Sequence, residues 1–284
     1  MENWKSIFNQ ACLQARGLKA VIMMSKEDMA AATILQKLRE NFGFAEDEFT
    51  NVYSGRGVKV VVIDKSILYA DEVVASVDAD LVVVASKHVS ETGRRCILVH
   101  STGNWSEKAD HGGKPYSLSM TSAEAVYTAL HACLQDVEKA ALKDVEVGLE
   151  ATHHGPYSDK PLVFVEVGSS PESWRDPKMA EAAAEACVKT CTQTAGKASA
   201  HAIGFGGGHY ARDILKAVLK HDVAVGHIAS KYHFPLREDM VRQAIARTLE
   251  NPRTALVDWD GLKAEHRSNL VKTLETLGVE VVRV

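Results

Sequence analysis

The sequence is poor in the features that would place it outside ordinary globular chemistry. Its five cysteines, at positions 12, 96, 133, 187 and 191, are odd in number and form no paired framework, which excludes a disulfide-stapled secreted scaffold and points to a reducing compartment. A chain of 284 residues also needs no staples, because about 75% of its unfolded surface is buried on folding. Neither charge sign is in excess. The 33 Lys and Arg face 37 Asp and Glu, a net charge of −4, so any contact with a phosphate polymer must come from a local patch. No apolar run approaches the roughly 18 residues of a membrane span, and the N-terminus lacks an apolar core of signal-peptide length. A cytoplasmic, monomeric protein with no membrane partner is expected. Residues 1–18 read as an N-terminal extension, with Lys5 and Arg16 against Glu2 but without the serine and arginine richness of an import signal. Only seven prolines are present, and no linker, repeat or low-complexity block divides residues 19–284, which are expected to form one domain.

What is present is an alternation of apolar runs and amphipathic stretches. Runs at residues 20–24, 58–63, 81–85, 96–100, 145–149, 162–167, 200–203, 223–225, 255–257 and 279–282 read as strands, many with consecutive β-branched residues, the mark of strands covered on both faces. Helical patterns lie at 26–41, after a Ser25 cap, and at 122–142, 179–194, 212–220, 237–249 and 264–277. The order predicts an α/β fold: a single three-layer domain with a mixed, mostly parallel sheet.

Twelve histidines carry the chemistry, several at strand ends, where open α/β sheets place their sites. After the run 145–149 come Glu150, His153, His154 and Gly155, and two adjacent histidines on a turn can serve as ligand and base. Gly206, Gly207 and Gly208 precede His209 at the start of a helix, an arrangement suited to an oxyanion or phosphate. His100 leads into Thr102, Asn104 and Trp105, with Lys114 further on, which together offer donors, a stacking surface and a cation for a nucleotide end. Glu166 stands at the end of another strand and can pair with Glu150. The catalytic candidates are therefore His153, His154, His209, Glu150 and Glu166. Candidates for substrate binding are Gly206, Gly207, Gly208, Thr102, Asn104, Trp105 and Lys114. Hydrolytic metal sites need only three protein ligands and a water, and His100, His154 and His209 could supply them. The sequence has no HExxH, CxxC or GxSxG motif. Cys187 and Cys191, four apart on one helix face, read as core residues. Basic residues gather at Lys87, Arg94, Arg95, Lys108 and Lys114, and again at Arg237, Arg242 and Arg247.

EATHHGP at 150–156, GFGGGHY at 204–210, TGNW at 102–105 and GSSPESW at 168–174 together resemble the D-aminoacyl-tRNA deacylases of the archaeal and plant type. Ser86-Lys87-His88, Gly226-His227-Ile228 with Lys231-Tyr232, and Val257-Asp258-Trp259 extend the resemblance from about Lys19 to the C-terminus. Arg212 stands where the family usually has proline, and Lys87 where it often has arginine. The resemblance implies a phosphorylase-like α/β fold, zinc with ligands unassigned, and hydrolysis of the ester between a D-amino acid and the 3′ ribose of tRNA. Plant members of the family also clear D-amino acids modified by small aldehydes from tRNA, and the resemblance extends that expectation to this chain. On that reading His154 or His209 activates water, Glu150 and Glu166 orient a histidine or hold the amino group, and the amides of Gly206 to Gly208 receive an oxyanion or phosphate. Trp105, Asn104 and Lys114 position the terminal adenosine. A nucleoside phosphorylase or small-molecule hydrolase and a non-catalytic tRNA-binding module are the alternatives.

Overall fold

The computed structural model describes residues 19–193 and 196–284, so the expected extension at 1–18 lies outside the described residues. In chain order the strands are β1 (Ala20–Ser25), β2 (Ala45–Glu46), β3 (Val52–Gly55), β4 (Val58–Ile63), β5 (Leu81–Val89), β6 (Cys96–His100) and β7 (Gly103–Asn104). They continue with β8 (Ser117–Leu118), β9 (Glu146–Leu149), β10 (Leu162–Ser169), β11 (Ala200–Phe205), β12 (Val223–Ala229), β13 (Thr254–Val257) and β14 (Glu280–Arg283). The helices are α1 (Met29–Phe42), α2 (Asp71–Ser76), α3 (Ala123–Lys139), α4 (Pro171–Trp174), α5 (Pro177–Thr192), α6 (Arg212–His221), α7 (Glu238–Ala246) and α8 (Ala264–Thr276).

An eight-stranded sheet in the order β2-β3-β4-β1-β5-β10-β6-β9 carries the main core. Its central strands β4, β1, β5 and β10 run parallel, and β6 joins β10 antiparallel. Successive side chains point to opposite faces of a strand, and the two faces are filled differently. Ile22, Val83 and Val163 face α1, α3 and α5, meeting Ile34, Leu130 and Met179. Met23, Val82 and Phe164 face the turn at Ile67 and Val74 of α2. The expected three-layer α/β arrangement with a mixed sheet is therefore present. A second, all-parallel sheet, β12-β11-β13-β14, adds a division the sequence did not reveal. One of its faces buries Ile203 and Phe205 against Met240 of α7 and Leu274 of α8. Its other face joins the main core through Ile214 and Val218 of α6.

One local reading is corrected. Helix α1 begins at Met29 and is capped by Asp28, whose side chain accepts from Ala31 N. The Ser25 hydroxyl is committed instead to the Lys65 carbonyl at 2.8 Å. Short elements such as β2, β3, α2 and α4 escaped the sequence reading because two to six residues do not establish a period. No helix among the described residues is long and apolar enough to cross a membrane.

Candidate active site

The site grows out of the second face of the large sheet. Along β5 the side chains on that face run Val82, Val84, Ser86, His88; along β10 they run Leu162, Phe164, Glu166. The same stripe that is apolar core at its start becomes polar at its end, and the register places Glu166 beside Ser86 and His100 beside Phe164. The Ser86 hydroxyl donates to Glu166 Oε1 at 2.8 Å, and the His100 ring stacks on Phe164 with centroids 5.1 Å apart.

The segment after β9 crosses above this floor and adds Glu150, His153 and His154, while the turn after β11 adds His209. Five His–Glu approaches result. His88 Nδ1 lies 3.4 Å from Glu150 and 3.5 Å from Glu166. Glu166 Oε1 lies 3.7 Å from His100 Nε2 and 4.0 Å from His154 Nε2. His209 Nε2 stands 2.9 Å from Glu150 Oε1. Despite these distances, His100 Nε2 and both Glu150 oxygens are buried without a hydrogen-bond partner. A buried polar atom without a partner is costly unless something occupies the space beside it.

Three rings are held in one tautomer. His100, His153 and His154 each place Nδ1 on a backbone carbonyl, at 3.1, 2.8 and 2.6 Å, so Nδ1 donates, and in His153 and His154, which burial keeps neutral, Nε2 is left as an acceptor. That is how metal-ligating histidines are commonly oriented. The Nε2-bearing rings of His100, His153 and His154 form one group that could hold a metal ion; Glu150, His153 and His209 form a second, and His88, Glu150 and Glu166 a third. The sequence-based trio of His100, His154 and His209 is corrected here, because His209 faces Glu150 and His153 takes its place beside His100.

Burial drives His153 well below the usual imidazole range, and burial with the neighbouring His100 lowers His154 to about 4. Burial opposes charge on His88 too, but the flanking carboxylates Glu150 and Glu166 outweigh it and push its pKa up to about 11. Burial also works against ionising Glu150 and Glu166; their histidine neighbours prevail and hold both carboxyls below the ordinary range. His88, His153, His154, Glu166 and His209 face a cavity of about 440 Å³ that Asp28, Lys87, Leu68 and His111 also line.

The remaining predicted residues have structural duties. Thr102 is fully buried and donates to the Pro156 carbonyl, Gly103 N donates to the His154 carbonyl, and Trp105 Nε1 donates to the Thr152 carbonyl. The TGNW segment is therefore the clamp that shapes the histidine turn, and Thr102 and Trp105 cannot touch a nucleotide as expected. Asn104 is spent on the carbonyls of Gly112 and Lys114, while Lys114 places Nζ 3.8 Å from the Tyr157 ring. Gly206, Gly207 and Gly208 do not line the cavity. Gly206 donates to the Ala229 carbonyl, and a Cβ on Gly207 would stand 2.6 Å from Asp258 Oδ2. The positive φ of Gly206 and Gly207 serves to turn the chain so that His209 faces the site. His88, Ser86 and Asp28 were missed as site residues, although the apolar-to-polar change along the β5 stripe is a readable signal.

Comparison with known proteins identifies the family. A family model described as D-aminoacyl-tRNA deacylase matches residues 75–282. A D-aminoacyl-tRNA deacylase of Thermococcus kodakarensis is 36% identical over 93% of this chain and 99% of its own length. Another from Ignicoccus hospitalis is 40% identical, covering 74% of this chain and 83% of the relative. A crystal structure described as a conserved protein of unknown function superposes with a TM-score of 0.85 at 28% identity, covering 94% of this chain and 95% of that one. By the family model and by its identity to these relatives over most of its length, the chain belongs to the D-aminoacyl-tRNA deacylase family.

Proposed function

We infer that this chain hydrolyses D-aminoacyl-tRNA at the ester between the amino acid and the 3′-terminal ribose, releasing free D-amino acid and tRNA. Family membership supports the substrate. The observation that carries the chemistry is the gathering of His88, His153, His154, His209 and Glu166 around one cavity, with His100 and Glu150 buried directly behind them.

Roles divide by burial and tautomer. The buried rings of His100, His153 and His154, neutral in the case of the last two and with Nε2 free, are the ligands that would hold zinc, and the orphaned Nε2 of His100 fits that duty. Zinc, when bound, supplies a Lewis acid that polarises an ester carbonyl and lowers the pKa of water. His209 is the more accessible ring, its side chain 36% exposed, and the Glu150 carboxylate lies 2.9 Å from its Nε2. It leaves Nδ1 for proton transfer: it takes a proton from water as the oxygen adds to the carbonyl carbon. The same proton then passes to the ribose oxygen as the ester C–O bond breaks, and Glu150 stabilises the imidazolium in between. Glu166, tied by Ser86, holds its charge toward His100 and His154.

Deacylation of matched D- and L-aminoacyl-tRNA by the purified protein, before and after chelation and with zinc restored, tests this reading. Loss of the D form alone, abolished by chelator and recovered with zinc, is expected. D-selective loss that ignores the chelator would leave the His209–Glu150 pair acting without metal, and no selective loss would end the hydrolase reading.

A further inference from the structure

With Trp105 buried at 3% exposure, the aromatic surface that a single-stranded 3′ end requires must lie elsewhere. The turn that carries Leu68, a cavity-lining residue, supplies one in the next position. His154 is followed by Gly155, whose N–H donates to the His111 carbonyl at 3.0 Å. Gly112 follows His111 and presses on the turn Ile67–Tyr69: a Cβ there would come within 1.9 Å of the Leu68 carbonyl oxygen and 3.3 Å of the Tyr69 ring. A Cβ on Gly155 would meet Gly113 N and Leu68 O at 2.3 Å. Two glycines thus let three backbone segments stack, and the stack leads from His154, deep in the site, outward past Leu68 and His111, which line the cavity, to Tyr69.

Tyr69 is built to present its ring. The hydroxyl donates to the Asp110 carbonyl at 3.0 Å, which fixes the orientation, yet the residue is 54% exposed. A fixed and uncovered aromatic ring leaves apolar area in water that a flat partner would remove. Val89, on the same cavity at the end of β5, is also exposed, at 66%. Aromatic faces recognise unstacked bases in single-stranded nucleic acids without needing a particular sequence.

We propose that Tyr69 is the stacking platform for the nucleobase of the esterified 3′-terminal nucleotide, held next to the cavity-lining Leu68 by the Gly112–Gly155 contact. The proposal rests on the tRNA-hydrolase reading. It gives the glycines at 112 and 155 a purpose and replaces Trp105 as the aromatic of the substrate site. Stacking acts on binding of the nucleotide rather than on the reacting ester, so its loss falls on KM.

Steady-state hydrolysis of D-aminoacyl-tRNA is compared for wild type, Tyr69→Ala, Tyr69→Phe and Tyr69→Trp, alongside the ethyl ester of the same D-amino acid, which has no base. Tyr69→Ala is expected to raise KM for the tRNA substrate roughly 5- to 100-fold, the range alanine substitution gives for base–aromatic stacking. Tyr69→Phe and Tyr69→Trp keep a ring and stay within about threefold of wild type, and the ethyl ester does not distinguish Tyr69→Ala from wild type. An unchanged KM in Tyr69→Ala with active wild type overturns the proposal alone. So does a Tyr69→Phe defect equal to that of alanine, which would assign the residue to holding the Asp110 carbonyl. Wild type inactive on every D-aminoacyl-tRNA overturns the hydrolase reading and the stacking site with it.

Discussion

His154 holds its backbone at φ 44°, a left-handed conformation that costs a non-glycine residue roughly 1–2 kcal/mol. The 2.6 Å hydrogen bond from Nδ1 to the Gly155 carbonyl and the clamp of Gly103 N on the His154 carbonyl keep it there. The strain places Nε2 over Glu166. Replacing the ring separates these roles: His154→Ala is expected to lower kcat at least about 100-fold and to reduce the zinc retained after dialysis. His154→Asn, a residue that tolerates the left-handed region, should recover the thermal midpoint lost by alanine without recovering turnover or zinc. Retained zinc and near-wild-type kcat in both variants would remove His154 from the site. Gly112 makes a similar point about space. Its φ of 82° and the 1.9 Å approach of the Leu68 carbonyl to a Cβ leave no room for alanine. Gly112→Ala should cost on the order of 3 kcal/mol by urea unfolding and raise KM for the tRNA substrate by displacing Tyr69.

At the scale of elements, the start of α3 shows why the chain's distant residues matter. Ser122 caps Ala125 N, as its position in the sequence suggests, but the first N–H groups are met by Glu250, which accepts from Ala123 N at 2.8 Å and Glu124 N at 3.1 Å. Glu250 lies 126 residues beyond Glu124 and receives the Ser122 hydroxyl as well. Glu250→Ala leaves those donors without their acceptor, and a loss of about 1–2 kcal/mol is expected in urea unfolding, with Glu250→Gln losing less. Local patterns of this kind divide what was legible from what was not. The long strands and helices were readable because their periods are internal to a segment, and the EATHHGP turn because its chemistry is dense. The Asp28 cap was misread because the Ser25 hydroxyl is claimed by Lys65, a partner reached through β4. Trp105 was misread for a related reason: a tryptophan in a polar loop looks available until the Thr152 carbonyl is found on its Nε1.

For the molecule as a whole, α3 is the joint between the two sheets. Every residue from Ala123 to Leu130 is buried, the signature of a helix with core on all sides. Ala125, Ala129 and Leu130 face the large sheet, while Ala123 and Tyr127 meet Ala224 of β12. The apolar runs of the sequence could not say which strands share a sheet, since both sheets are built from similar β-branched segments; the joint only exists once α3 is placed. Its polar seam is Glu124, which holds His201 of β11, Nε2 to Oε1 2.6 Å, along with the N–H groups of Lys197 and Ala198. The Glu124 contact raises the pKa of His201 above its ordinary 6.5, outweighing burial. Burial opposes the charge on Glu124, but His201 and the backbone donors hold its carboxyl below the ordinary 4.5. The signs set the window. Stability from His201 is complete below pH 6.5 and is lost as pH rises through the elevated folded value; stability from Glu124 is complete above pH 4.5 and is lost as pH falls through the depressed one. The pair therefore contributes most between about pH 5 and 6.5. His201→Gln keeps a donor but removes the titration, and subtracting its urea midpoint from that of wild type cancels the other histidines. The difference is expected to be largest near pH 5.5 and to shrink by pH 9. A difference that stays constant or grows over that range would mean that His201 is held neutral and joins the sheets by shape rather than by charge.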